Sequence, residues 1–80
     1  MNAMAKYEHP KEHLITDGCS IEIYPSFNEA GHPDGYYIAV INENDELILR
    51  EYEPDFDWAS QTANFFSKRH NLEITDVSPY

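Results

Sequence analysis

The run Tyr36-Tyr37-Ile38-Ala39-Val40-Ile41 carries apolar or aromatic side chains on both faces of an extended chain. A strand of that kind belongs in the middle of a sheet, with neighbours on both sides and cover over its faces. The rest of the chain has to supply them. Cys19-Ser20-Ile21-Glu22-Ile23-Tyr24 alternates with period two, so Cys19, Ile21 and Ile23 share one face of a half-buried strand, which Pro25 is expected to end. The breaker-rich stretch 26–35, with Gly31-His32-Pro33-Asp34-Gly35 as its turn chemistry, leads into the central strand. Asn42-Glu43-Asn44-Asp45 reads as a polar turn, and Leu47-Ile48-Leu49-Arg50-Glu51-Tyr52 returns antiparallel beside the centre.

Residues 55–70 have the pattern of a helix. Asp55 and Asp57 stand at its start, where carboxylate oxygens cap free N–H groups and meet the positive end of the dipole. Lys68, Arg69 and His70 stand at the other end, and Asn71 suits a left-handed cap. Phe56, Ala59, Ala63 and Phe66 form one stripe that should face the sheet, with Trp58 and Phe65 on an adjoining stripe. Leu72 to Val77 is a weaker strand, expected at an edge. Ahead of the first strand, Pro10 to Ile15 can form a helical turn. Alternatively His13–Thr16 can be a strand turned by Asp17-Gly18 into the next, and the Asp-Gly pair favours this hairpin.

The order predicts an α+β domain: an antiparallel sheet of three to five strands, with one helix in the C-terminal half packed on one face. Eighty residues make one domain, 1–80. Residues 1–12 are expected to be flexible, and Met1-Asn2-Ala3 reads as a cloning remnant ahead of a native start at Met4. One helix covers one face. The other would carry Tyr24, Tyr37, Tyr52, Ala39 and Ile41, as register allows.

Charge narrows the partners. Fifteen Asp and Glu against five Lys and Arg give a net −10, which repels nucleic acid and anionic lipid and attracts cationic surfaces. Seven acids (Glu43, Asp45, Glu46, Glu51, Glu53, Asp55, Asp57) share one stretch with a single base, Arg50. In extended chain, same-side carboxylates there would stand about 6.6 Å apart, like a row of phosphates, with the rings on the other side. The plainer reading ends a strand at Glu51 and Glu53 and caps the helix with Asp55 and Asp57. Divalent cation binding is a third reading, though the Asn42–Glu46 run lacks the glycine and terminal Glu of a calcium loop. Disordered acidic chains lack aromatics, whereas this one has six Tyr, four Phe and Trp58, so it should fold.

No catalytic or cofactor motif is present. His9 and His13 are four apart, but Pro10 breaks a regular helix and a zinc site would need Cys19 or His32 to complete it. Cys19 sits in a strand pattern and reads as a small buried hydrophobe rather than a nucleophile. A sheet-plus-helix domain of this size seldom offers the dry cleft that carboxylate acid–base chemistry needs. The single cysteine, and the lack of a membrane-length apolar run or a leader, point to the cytoplasm. Tyrosine surplus with few lysines is an interface composition. Stacking on single-stranded nucleic acid would also use sheet aromatics, but on a basic surface.

The expectation is a non-enzymatic protein-binding module without metal or cofactor, which self-associates or docks a protein through an aromatic sheet face. In size, acidity and strand-strand-strand-helix order the chain also resembles small phage and mobile-element proteins that block host nucleic-acid machinery. Antitoxin-like bacterial α+β domains share that outline. The likeness is one of architecture and includes no motif. It implies an alternative, an inhibitor that offers its 43–57 acids to a basic partner.

Overall fold

The computed structural model describes residues 9–78. The expected remnant at 1–3, and residues 1–8 of the expected flexible start, lie outside them. A 3-10 turn (Glu12–Leu14) precedes β1 (Ser20–Phe27), β2 (Pro33–Ile41), β3 (Leu47–Glu53), α1 (Phe56–His70) and β4 (Ile74–Val77). The four strands make one sheet in the order β3-β2-β1-β4. This is the α+β arrangement the pattern predicts, with β2 central and β4 at an edge.

The sheet is mixed and mostly antiparallel. β1 pairs β2 and β2 pairs β3 antiparallel, while β4 lies parallel to β1. The reason is the route of the chain. β3 and β1 point the same way, and α1 carries the chain back along the sheet before β4 enters. A crossover of this kind delivers a parallel strand.

Three local expectations are corrected. The segment before β1 is not a hairpin strand: Glu12, Leu14 and Ile15 donate to the carbonyls of His9, Lys11 and Glu12, closing successive short turns. Asp17-Gly18 then turns without a paired strand before it. Pro25 does not end β1, which continues to Phe27. Ile21 N–H donates to the Glu73 carbonyl and Ser78 N–H to the Ile23 carbonyl, so the odd positions of β1 turn their backbone toward β4. Pro25 shares that phase beyond the end of β4, where a missing N–H costs no ladder bond. On β2 the strand begins at Pro33, so the loop is shorter than expected and Gly35 lies inside the sheet.

The core sits between the sheet and α1. Ile21 pairs Val40 and Ile23 pairs Ile38 across β1 and β2, and Val40 pairs Leu49 on β3. All five are buried, as are Ala59, Ala63 and Phe66 of the predicted helix stripe. The two alanines let the helix approach closely, and Phe66 fills the space beside them. Truncating a ring so buried typically costs about 3–5 kcal/mol. Phe56 is half-buried and meets Tyr36 edge-on at 5.2 Å between ring centroids. The helix termini follow the sequence signals: Asp55 accepts from the Trp58 N–H at 2.9 Å, and Asn71 takes the left-handed cap at φ 56°. No helix of the described residues is long and apolar enough to cross a membrane.

Candidate functional site

Period-two alternation sends Ile21, Ile23, Ile38, Val40 and Leu49 to the helix, so their neighbours in sequence face the other way. The registers put Tyr24, Tyr37 and Tyr52 in one row across β1, β2 and β3, and Glu22, Ala39 and Arg50 in the next. The rings touch in sequence, with centroids 5.7 Å apart for Tyr24 and Tyr37 and 5.8 Å for Tyr37 and Tyr52. The Arg50 guanidinium lies 4.1 Å from the Tyr37 centroid. A hydrogen bond with Tyr24, then the electrostatic influence of Tyr24 and Tyr37, holds the Arg50 pKa above its ordinary value, against partial desolvation. Tyr52 donates its hydroxyl to the Asp34 carbonyl, and its ring stands where a side chain at Gly35 would be. Desolvation first, then nearby Asp34 and Tyr37, raise the Tyr52 pKa.

No secondary-structure element packs over this face among the described residues. Tyr52 remains 46 % exposed, and Leu47 at the start of β3 is exposed as well. The result is a shallow platform of three phenol rings and one cation, with the Tyr24 hydroxyl engaged by Arg50 and the Tyr52 hydroxyl by the Asp34 carbonyl.

The seven acids singled out in the sequence do not form one surface. Glu43, Asp45 and Glu46 are in the β2–β3 turn at one end of the sheet, and Asp55 and Asp57 start α1 at the opposite end. Glu51 and Glu53 share a face, as extended spacing requires, but it is the helix side. Local roles absorb most of the seven. Glu43 lies against Gly18, Asp45 holds the left-handed turn position at φ 63°, and Glu46 accepts from Asn42 Nδ2 at 2.9 Å. Glu51 is 3.7 Å from His9 Nε2, Glu53 accepts from the buried Thr62 hydroxyl at 2.8 Å, and Asp55 is the helix cap. Asp57 is exposed in the first helical turn, beside the exposed Trp58.

The histidines meet elsewhere. His9, Glu12, His13, Arg69 and His70 line a shallow cleft where the 3-10 turn meets the end of α1. Glu12 is 8 % exposed and accepts from Arg69 Nε at 2.9 Å and His70 Nε2 at 2.6 Å. An ionised carboxylate only accepts, so Nε2 carries the proton. His32 is on the β1–β2 loop, remote from this cleft along the length of the sheet, and the buried Cys19 sulfur contacts Thr16. Among the described residues no group of three or more His, Cys, Asp or Glu is placed to hold a metal ion.

Sequence reasoning singled out Tyr37 and Tyr52 but gave no part to Arg50, Glu22 or Gly35. The alternation signal carried Glu22 and Tyr24 already; Arg50 and Gly35 needed the register. Glu12 had no signal at all, because its partners lie far along the chain. No known family, no curated protein and no solved structure matches this chain. The geometry alone therefore supports the functional argument.

Proposed function

We propose that this chain is a non-enzymatic protein-binding module that docks a protein through its open sheet face. The observation that carries the reading is the Tyr24–Tyr37–Tyr52 row with Arg50 laid over its centre, on a face that no element covers among the described residues. Tyrosine and arginine are enriched among the side chains that dominate binding energy at protein interfaces, tyrosine because its rigid ring buries large area at low entropic cost. Here neighbouring rings restrain one another before any partner arrives, which lowers the ordering cost further. The lone buried thiol supports a reducing compartment, the cytoplasm. The acidic-inhibitor reading has weaker geometric support, because its acids split between two ends and a covered face, and most already serve the fold.

The test is a photo-crosslinking amino acid placed singly at Tyr37, Tyr52, Glu43 or Asp57 in the cells that make the protein. Adducts from Tyr37 and Tyr52, with none from Glu43 and Asp57, are the expected result. Adducts confined to the acidic positions, or none from either tyrosine position, would overturn the proposal.

A further inference from the structure

We infer that Asp17-Gly18 is a self-modification site, at which the folded chain rearranges to an isoaspartyl linkage, and that the sheet shields the other Asp-Gly pair, Asp34-Gly35, from the same reaction.

Elementary chemistry makes any Asp-Gly pair a candidate. The glycine backbone nitrogen attacks the side-chain carboxyl carbon of the aspartate, a C–N bond forms, and water leaves from that carboxyl. The product is a five-membered imide. Water then reopens the ring at either carbonyl, and opening at the former backbone carbonyl leaves the chain running through the side-chain carbons. One water leaves and one enters, so the step needs no oxidant or other co-reactant. Glycine favours it, because a residue without Cβ neither crowds the attacking nitrogen nor limits the rotation that brings it to the carboxyl.

The chain holds two such pairs, in opposite surroundings. Asp17 and Gly18 are both exposed, in a turn outside the sheet. Neither makes a hydrogen bond or ion pair among the described residues, since the turn is closed around them by Cys19 N–H on the Thr16 carbonyl at 3.1 Å. The carboxyl and the nitrogen that must meet are thus both at liberty. Asp34-Gly35 lies in β2. Gly35 is buried and stands opposite Ser26, on the phase of β1 that turns its backbone to β2. Its own backbone is thereby committed to the ladder. Tyr52 adds a second restraint. Its hydroxyl holds the Asp34 carbonyl, which belongs to the peptide unit that would have to rotate, and its ring covers Gly35.

Conversion adds one backbone atom between Thr16 and Cys19. The hydrogen bond that closes this turn spans only Asp17 and Gly18, so the extra atom breaks it. Thr16 also covers the buried Cys19 sulfur, with its N–H at 3.5 Å and its hydroxyl at 3.7 Å. A loosened turn therefore bares the thiol just ahead of β1.

Peptide mapping with electron-transfer fragmentation, which separates isoaspartate from aspartate, tests this on the full chain aged in neutral buffer. Isoaspartate should accumulate at Asp17 about tenfold faster than at Asp34, or more, because Asp34 reacts only in the small fraction of molecules opened at that strand. The same chain unfolded in urea should convert at both. Tyr52→Ala should quicken conversion at Asp34 and leave the rate at Asp17 unchanged. Asp17→Glu should abolish conversion at its position, since glutamate would have to close a larger ring. In the converted fraction the Cys19 thiol should react faster with a disulfide reagent than in fresh protein. Equal conversion at both pairs in the folded chain would overturn the inference. So would a folded chain that is inert at Asp17 while the unfolded one converts there, or a preference for Asp17 that persists in urea. A Tyr52→Ala chain that fails to fold would convert at both pairs like the urea sample, and the wild-type comparison of folded with unfolded chain then decides.

Discussion

The Tyr52 ring fills the space above Gly35, and its hydroxyl holds the Asp34 carbonyl one residue before. Glycine inside a strand weakens it, and an aromatic ring from the next strand can restore the cover. We expect Gly35→Ala to push the ring away and cost about 1 kcal/mol, the worth of one hydrogen bond with its packing. Tyr52→Phe should cost a similar amount, and the pair together little more than either alone, because both remove one arrangement. Urea unfolding of the two single variants and the double variant measures this. A second expectation concerns pH. The folded chain holds the Tyr52 proton more tightly than the unfolded chain, so its contribution is whole below the ordinary tyrosine range. It is lost as pH climbs from about 10 through the higher folded value. An alkaline absorbance titration should show a late phenol that is missing from Tyr52→Phe. The sequence marked Gly35 as a loop breaker, since nothing local joins it to Tyr52; the register between β2 and β3 does.

At the scale of elements, α1 was legible because its signals are local: an acid before it, bases at its end, Asn71 beyond and an apolar stripe between. The finer point was which acid caps. Asp55 makes the bond to the Trp58 N–H, and Asp57 contributes charge in the first turn. Asp55→Ala should therefore destabilise by about 1 kcal/mol, and Asp57→Ala by no more than about 0.5, by thermal unfolding. Equal losses would contradict the assignment. Pro25 misled for the opposite reason. Its cost depends on what lies beside the strand, and only the shortness of β4 makes the position free of a ladder bond. The direction of β4 was equally illegible, because alternation in a short strand carries no sign of which neighbour it will find.

For the whole molecule, the contact between Glu12 and the end of α1 joins the 3-10 turn to the body of the fold. Arg69 and His70 both donate to one carboxylate oxygen, and His9 meets Glu51 on β3. Glu12→Ala should release this turn without loosening the sheet. Hydrogen exchange at Leu14 and Ile15 should quicken about tenfold or more, while Ile21, Ile38 and Val40 keep their protection. Uniform quickening across the chain would show that the contact supports the entire fold. The open tyrosine face was legible in outline, since one helix cannot cover two faces. The division of the acids was not, because seven carboxylates close in sequence are carried apart by the length of β3.

The parallel pairing of β4 also sets an order of assembly. β1, β2 and β3 are neighbours in sequence and can pair as the chain is made, whereas β4 is the last described element to leave the ribosome. Until it docks, the backbone groups of Ile21 and Ile23 that later bond to Glu73 and Ser78 stay open along one side of β1. An apolar strand with such a free edge accepts whatever strand is nearest. A strand edge left open in this way is a template for pairing with another chain, so prompt docking of β4 protects the fold as it forms.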